Sequence, residues 1–194
     1  MHIDEHELIK GCLACEEKYF KILYNNYYGK MLNVCMRYAR DRDEAKDVLQ
    51  DGFIKVFKSI NQFDFKGSFE GWIRRIIVNT AINHYRKNTL RNITDYVDDE
   101  DLQKFEREKA SIDIDTVAYK VEPEILLKLV QQLPSVYKMV FNLYVMEEHS
   151  HKEIAQMLDI TESTSRSNLT KAKIKLKMAV EELLNKEKIQ YAAQ

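Results

Sequence analysis

The side chains best suited to chemistry fall into a few sets. Toward the C-terminus, Ser163, Thr164, Arg166, Ser167, Thr170, Lys171 and Lys173 crowd one short segment. Arginine reads guanine through a bidentate fork, while Ser, Thr and Lys suit less specific contacts to bases or phosphates. A second set, Arg75, Asn79, Asn83 and Arg86, falls on one helical face opposite Trp72 and Ile76. Asn pairs with base edges, and two of them inside a helix weaken it, so their presence asks for a function. A third set, Asp47, Gln50, Asp51, Ile54 and Lys58, puts one large apolar residue among polar ones, the anatomy of a protein interface; a solvated face with one stray Ile is the plainer alternative. Cys12 and Cys15 form a CxxC with His2 and His6 upstream. These are zinc-ligand types, but their order and spacing match no standard site, and the pair reads as two helix residues with no metal assigned. No phosphate-binding Gly-rich loop, carboxylate-metal cluster or nucleophile-base motif appears, so no catalysis and no cofactor is assigned.

The elements that must position these groups are helical. Of the chain's 194 residues five are Gly and two Pro, a composition for an all-α fold. Helical stripes run through Phe20, Leu23, Tyr24, Tyr27, Met31, Leu32, Cys35 and Tyr38, then through Ala45, Val48, Leu49, Phe53, Val56, Phe57 and Ile60. Asp41 or Asp43 caps the second of these helices. Ser68 caps a third, which buries Phe69, Trp72, Ile73, Ile76, Ile77, Ala81 and Tyr85. With a short helix near Asp4 these form a first domain, residues 1–88. Periodicity dissolves over 89–122, an acidic stretch read as a linker. A second helical domain, 123–194, starts with PEILLKLVQQL and PSVYKMVFNLYVM, each Pro tolerated in a first turn.

The rest of that domain is helix-turn-helix grammar. Ser150 and Glu153 make a capping box. Ile154, Ala155 and Leu158 face inward, a short turn passes Asp159 and Ile160, and Thr161 caps a helix with an inner stripe of Leu169, Ala172, Leu176, Ala179 and Leu183. From Arg166 to Lys177 the chain carries Arg166, Lys171, Lys173, Lys175 and Lys177 and no acid. The formal net charge of −1 is therefore segregated rather than absent, and a basic DNA-facing surface is compatible with it. The sequence shows no long apolar run and no signal-peptide layout at MHIDEHELIK, so a cytoplasmic protein is expected.

The strings DEAKDVLQDGFIKVFKSINQF, GSFEGWIRRIIVNTAINHYRK and QQLPSVYKMVFNLYVMEEHSHKEIAQMLDITESTSRSNLTKAKIKLK, in that order, resemble the extracytoplasmic-function sigma factors of the sigma-70 family. The resemblance covers a sigma-2 domain at about 15–88 and a sigma-4 domain at about 123–185. It implies a non-catalytic factor whose partners are core RNA polymerase and promoter DNA, with an anti-sigma factor as a possible third. Under it, Asp47, Gln50, Asp51, Ile54 and Lys58 dock on the clamp of the beta-prime subunit. Arg75, Asn79, Asn83 and Arg86 approach the minus-ten element, and the loop NQFDFKGS, with Phe65 and Lys66, holds a flipped base, while Phe63 anchors the loop in the core. The helix carrying Arg166 meets the minus-thirty-five element. The sequence departs from the family pattern at Asp159, in a turn usually made by Gly; at Ser165, where a β-branched apolar residue is usual and packing is expected to loosen; and at Asn168 and Lys171, where Arg is frequent. A stand-alone helix-turn-helix regulator is the competing class.

Overall fold

A computed structural model describes residues 4–91 and 121–192, with side chains described for 4–87 and 121–186. Residues 92–120, most of the expected acidic linker, lie outside that range, as does His2. Every regular element among the described residues is helical, and the chain divides into two compact units, Met1–Tyr85 and Arg86–Gln194. No helix of the described residues is long and apolar enough to cross a membrane.

The first unit holds α1 (Glu5–Leu13), α2 (Glu17–Tyr38), α3 (Arg42–Ser59), a 3-10 turn (Ile60–Gln62) and, as far as Tyr85, α4 (Phe69–Arg91), whose last residues belong to the second unit. Asp4 starts α1 by accepting from the Glu7 amide at 2.7 Å. Asp41, not Asp43, caps α3, its Oδ1 accepting from the Asp43 and Glu44 amides at 3.0 and 2.8 Å. The core draws Leu8, Ile9 and Cys12 from α1, Leu23, Met31, Leu32 and Cys35 from α2, and Ala45, Val48, Leu49, Phe53 and Val56 from α3. Tyr24, expected in the buried stripe of α2, is instead 36% exposed: its ring leans on Phe53 and Tyr28, with centroids 4.8 and 5.3 Å away, and covers the core edge. Where α3 meets α4, a Cβ on Gly52 would fall 2.4 Å from Ile77 Cδ1 and 3.6 Å from Ile77 Cα, so a side chain there would have to turn the end of Ile77 aside. Nearby, Lys55 Nζ donates to Thr80 Oγ1 at 3.0 Å, and His84 Nδ1 lies 3.5 Å from Glu44 Oε1.

The second unit holds α5 (Pro123–Gln131), α6 (Ser135–Phe141), α7 (His151–Leu158) and α8 (Glu162–Ala192). The stretch expected as one helix from Pro134 to Met146 is two structures: Pro134 is the residue before α6, and Asn142–Met146 forms a wide π turn. Buried Asn142 donates from Nδ2 to the Lys138 carbonyl at 3.0 Å, a side-chain bond that competes with the helical ladder there. Lys138 is buried as well, its Nζ donating at 3.0 Å to the carbonyl of Gln131 at the end of α5. The core is completed by Val130, Leu133, Tyr137, Met139, Val140, Phe141, Leu143, Ile154, Leu158, Leu169, Ala172, Ile174, Leu176 and Val180.

Candidate nucleic-acid interface

Burial alone defines the outward face of α4. Phe69, Ile73, Ile77 and Ala81 are buried as expected, while Trp72, Ile76 and Tyr85, expected with them, are half exposed and Val78, Thr80 and Ile82 are buried instead. Packing on more than one side leaves Gly71, Arg75, Asn79, Asn83 and Lys87 as the exposed positions of residues 69–87. Each follows the last by four residues, so they form one ridge along the helix. Arg75, Asn79 and Asn83 stand on it together. Arg86 is only half exposed and sits beside it; Lys87 continues the ridge and was missing from the sequence reading, although its spacing from Asn83 signals it.

The loop before α4 is a built turn. Phe63 is buried, its ring 4.9 Å from Phe69 and 5.6 Å from Trp72, which anchors the loop as expected. Phe65 is 46% exposed at φ 60°, and Lys66 is exposed. Asp64 steadies the turn: its Oδ1 accepts from the Lys66 amide at 3.0 Å and its Oδ2 lies 3.3 Å from Lys66 Nζ. Gly67 at φ 83° then redirects the chain, and Ser68 Oγ accepts from the Gly71 amide at 3.2 Å.

On α3, Asp47, Gln50, Asp51, Ile54 and Lys58 are all exposed, Ile54 by 43%. Gln50 and Ile54, then Asp47, Asp51 and Lys58, follow helical spacings, so one apolar side chain is framed by acids and amide on a continuous surface. Opposite charges frame its ends.

In the second unit the helix-turn-helix forms as the sequence dictates. Ser150 and Glu153 complete the capping box, with the Ser150 amide donating to Glu153 Oε2 at 2.8 Å. Asp159 adopts the left-handed conformation, φ 57° and ψ 47°, that Asp tolerates better than most residues. Thr161 Oγ1 accepts from the Thr164 amide at 3.0 Å and starts α8. Ser163, Thr164, Arg166, Ser167 and Thr170 are exposed, and Lys171 and Lys173 half exposed. Ser163, Arg166, Thr170 and Lys173 make one ridge, Thr164, Ser167 and Lys171 its neighbour.

Two expectations about α8 change. Ser165 does not loosen the packing: it is fully buried, and its Oγ lies 3.0 Å from His151 Nδ1, joining the start of α7 to α8. The His151 ring stacks on Tyr144, centroids 4.6 Å apart. Burial, then the Arg166 guanidinium, holds the His151 pKa below its ordinary value, while Glu162 pulls the other way. Asn168, where the family frequently has Arg, is buried at 8% exposure.

The cysteine pair separates. Cys12 is buried in α1, and burial pushes its thiol up to about 11, away from the thiolate a metal ligand needs. Cys15 is exposed and is not a helix residue; it lies beyond α1 at φ 57°.

Two family models match the chain: Sigma-70 region 2 over residues 23–91, and Sigma-70, region 4 over residues 124–176. The RNA polymerase sigma-H factor of Pseudomonas aeruginosa is 29% identical over 184 residues, 93% of this chain and 95% of that protein. The ECF RNA polymerase sigma-E factor of Haemophilus influenzae is 26% identical over 187 residues, covering 94% and 98%. The factor of that description from Escherichia coli K12 is 27% identical over 188 residues, covering 95% and 98%. Among solved structures, the sigma factor RpoE in complex with the anti-sigma factor NepR from Bartonella quintana is similar at 17% identity and a TM-score of 0.49, over 84% of this chain and 98% of that one.

Proposed function

Because this chain belongs to the sigma-70 family, as an extracytoplasmic-function factor with a sigma-2 and a sigma-4 domain, we propose that it directs initiation by recognising minus-ten and minus-thirty-five promoter elements and by helping to melt the former. A sigma factor binds core RNA polymerase and catalyses nothing itself. In this reading residues 1–88 and 123–194 are the working domains and 89–122 the connector. The α3 stripe of Asp47, Gln50, Asp51, Ile54 and Lys58 docks on the polymerase clamp. Arg75, Asn79, Asn83 and Arg86 face the minus-ten element, with Phe65 and Lys66 at an extruded base. Ser163, Thr164, Arg166, Ser167, Thr170, Lys171 and Lys173 face the minus-thirty-five element. An anti-sigma factor that silences the chain covers the α3 stripe, the α8 face or both.

The observation that carries the reading is the ridge of α4. Among the described residues this helix keeps one line of fully exposed positions, and that line holds Arg75, Asn79, Asn83 and Lys87, residue types that pair with bases and phosphates. Opening a duplex costs unstacking, which a protein offsets by capturing a displaced base.

The deciding experiment is reconstitution with bacterial core polymerase on genomic fragments. Promoter-specific initiation is expected; sequence-specific duplex binding without any initiation would instead indicate a stand-alone regulator. In the same assay, Asp47→Lys with Asp51→Lys is expected to abolish polymerase association while circular dichroism shows an intact fold. Retained holoenzyme formation removes the α3 assignment.

A further inference from the structure

Phe65 is held in a conformation its residue type resists. A non-glycine residue in the left-handed region costs about 1 to 3 kcal/mol and persists only where its surroundings over-determine it. Asp64 supplies part of that restraint through the Lys66 amide, but the ring itself is held by two others. Phe63 meets it at 5.3 Å from the local sequence, and His6 of α1 meets it at 4.8 Å with planes inclined by 55°. His6 is an exposed residue, so this contact is not part of the hydrophobic core.

The helix that delivers His6 is firmly seated. Leu8, Ile9 and Cys12 are buried, and the Tyr19 ring of α2 packs onto Gly11, where a Cβ would fall 2.1 Å from it. Tyr19 and Tyr27 of α2 donate to Glu7 and Glu5 of α1 at 3.1 and 3.3 Å. Thus α1 is an anchored arm ending in a ring that leans on a strained, half-exposed Phe.

We propose that His6 is a positioning residue of the base-capture site: its ring braces Phe65, so that the open face of Phe65 is a ready stacking platform for one unpaired nucleobase beside the Lys66 ammonium. The proposal rests on the minus-ten reading of α4 and its loop. A ring fixed before the base arrives loses less freedom on binding than a mobile one. Every base has a π face, so the platform strengthens capture without choosing the base. Choice is left to Asn79 and Asn83.

The test uses full-length protein in holoenzyme with core polymerase, on a promoter recovered from the genomic selection, carrying 2-aminopurine at each minus-ten position in turn. Phe65→Ala is expected to abolish the fluorescence rise that reports an extruded base. His6→Ala is expected to weaken base capture about three- to tenfold, the worth of one aromatic contact. His6→Phe, which keeps a ring, is expected to restore it. Core-polymerase affinity, binding to duplex ending upstream of the minus-ten element and thermal melting are expected to stay at wild-type values in both His6 variants. If His6→Ala leaves the signal intact while Phe65→Ala abolishes it, the brace is wrong and the minus-ten reading stands. If neither variant changes it, the reading of the loop falls too. A His6→Ala loss that His6→Phe does not recover, or that comes with lower melting, also overturns the brace.

Discussion

Helices α4 and α8 both turn polar side chains toward solvent, yet those side chains are held differently. On α4, burial leaves one fully exposed ridge, and among the described residues neither the Asn79 nor the Asn83 side chain has a hydrogen-bond partner. On α8, much of the polar face is already engaged: Thr164 lies 2.8 Å, oxygen to oxygen, from Thr161, Thr170 donates to the Arg166 carbonyl at 3.1 Å, and Arg166 pairs with Glu162. A ligand reaching α4 has only water to displace from these amides. One reaching α8 must exchange internal bonds for external ones, so net gain per contact is smaller there. Under the proposed reading, the first surface reads individual bases and the second leans more on charge and placement.

The largest expected effect tests α4. Asn79→Ala with Asn83→Ala should each remove about 1 to 3 kcal/mol of base recognition, read as lost promoter opening by permanganate reactivity. Because Ala is the better helix former, melting of the first unit should not fall. Lowered melting together with lost opening would mean that the ridge is structural and the contrast with α8 is false. Next, Arg166→Ala should cost about 1 to 3 kcal/mol of discrimination at one base pair if the arginine leaves Glu162 to read guanine. An equal loss on every promoter variant reassigns Arg166 to phosphate and sharpens the contrast.

A smaller effect concerns how α8 is seated. Ser165→Ala removes the partner of His151 Nδ1 and should lower the stability of the second unit by about 1 kcal/mol in urea, with polymerase binding through α3 unchanged. No change would mean that the bond contributes nothing to placing α8. The smallest concerns pH. The folded-state pKa of His151 is depressed, so the unfolded chain takes up its proton first as pH falls. The stabilisation is complete above the unfolded value of about 6.5 and is lost as pH drops through the folded one. Thermal melting of the second unit should therefore decline below neutrality with a slope that His151→Gln reduces; an unchanged slope in that variant removes His151 as the cause.

Much of this was legible in the sequence because it is local. Caps at Ser68, Ser150 and Thr161, the turn at Asp159 and the apolar stripe of α3 depend on neighbours within a few positions. What escaped depends on packing between elements. A single-stripe reading of α4 cannot foresee that Val78, Thr80 and Ile82 are also covered, and so overstates how wide its polar face is. Tyr24 carries the apolar area of a core residue but lies at the core edge. Ser165 and Asn168 look like surface residues until their burial is known, and nothing in the spacing links Ser165 to His151 or Phe65 to His6. The π turn at Asn142 follows from a side-chain bond to a backbone carbonyl that periodicity does not encode.

The close crossing at Gly52 has a mechanical corollary. Where α3 and α4 touch through Gly52 and Ile77, Lys55 and Thr80, and Glu44 and His84, the two helices behave as one bracket. The ridge from Arg75 to Lys87 extends about 18 Å along its axis, so a tilt of ~10° at the bracket would swing one end by ~3 Å relative to the other, roughly the length of a hydrogen bond. Angular tolerance where the helices meet, more than any single contact, then sets where the two ends of the ridge stand relative to the outward face of α3.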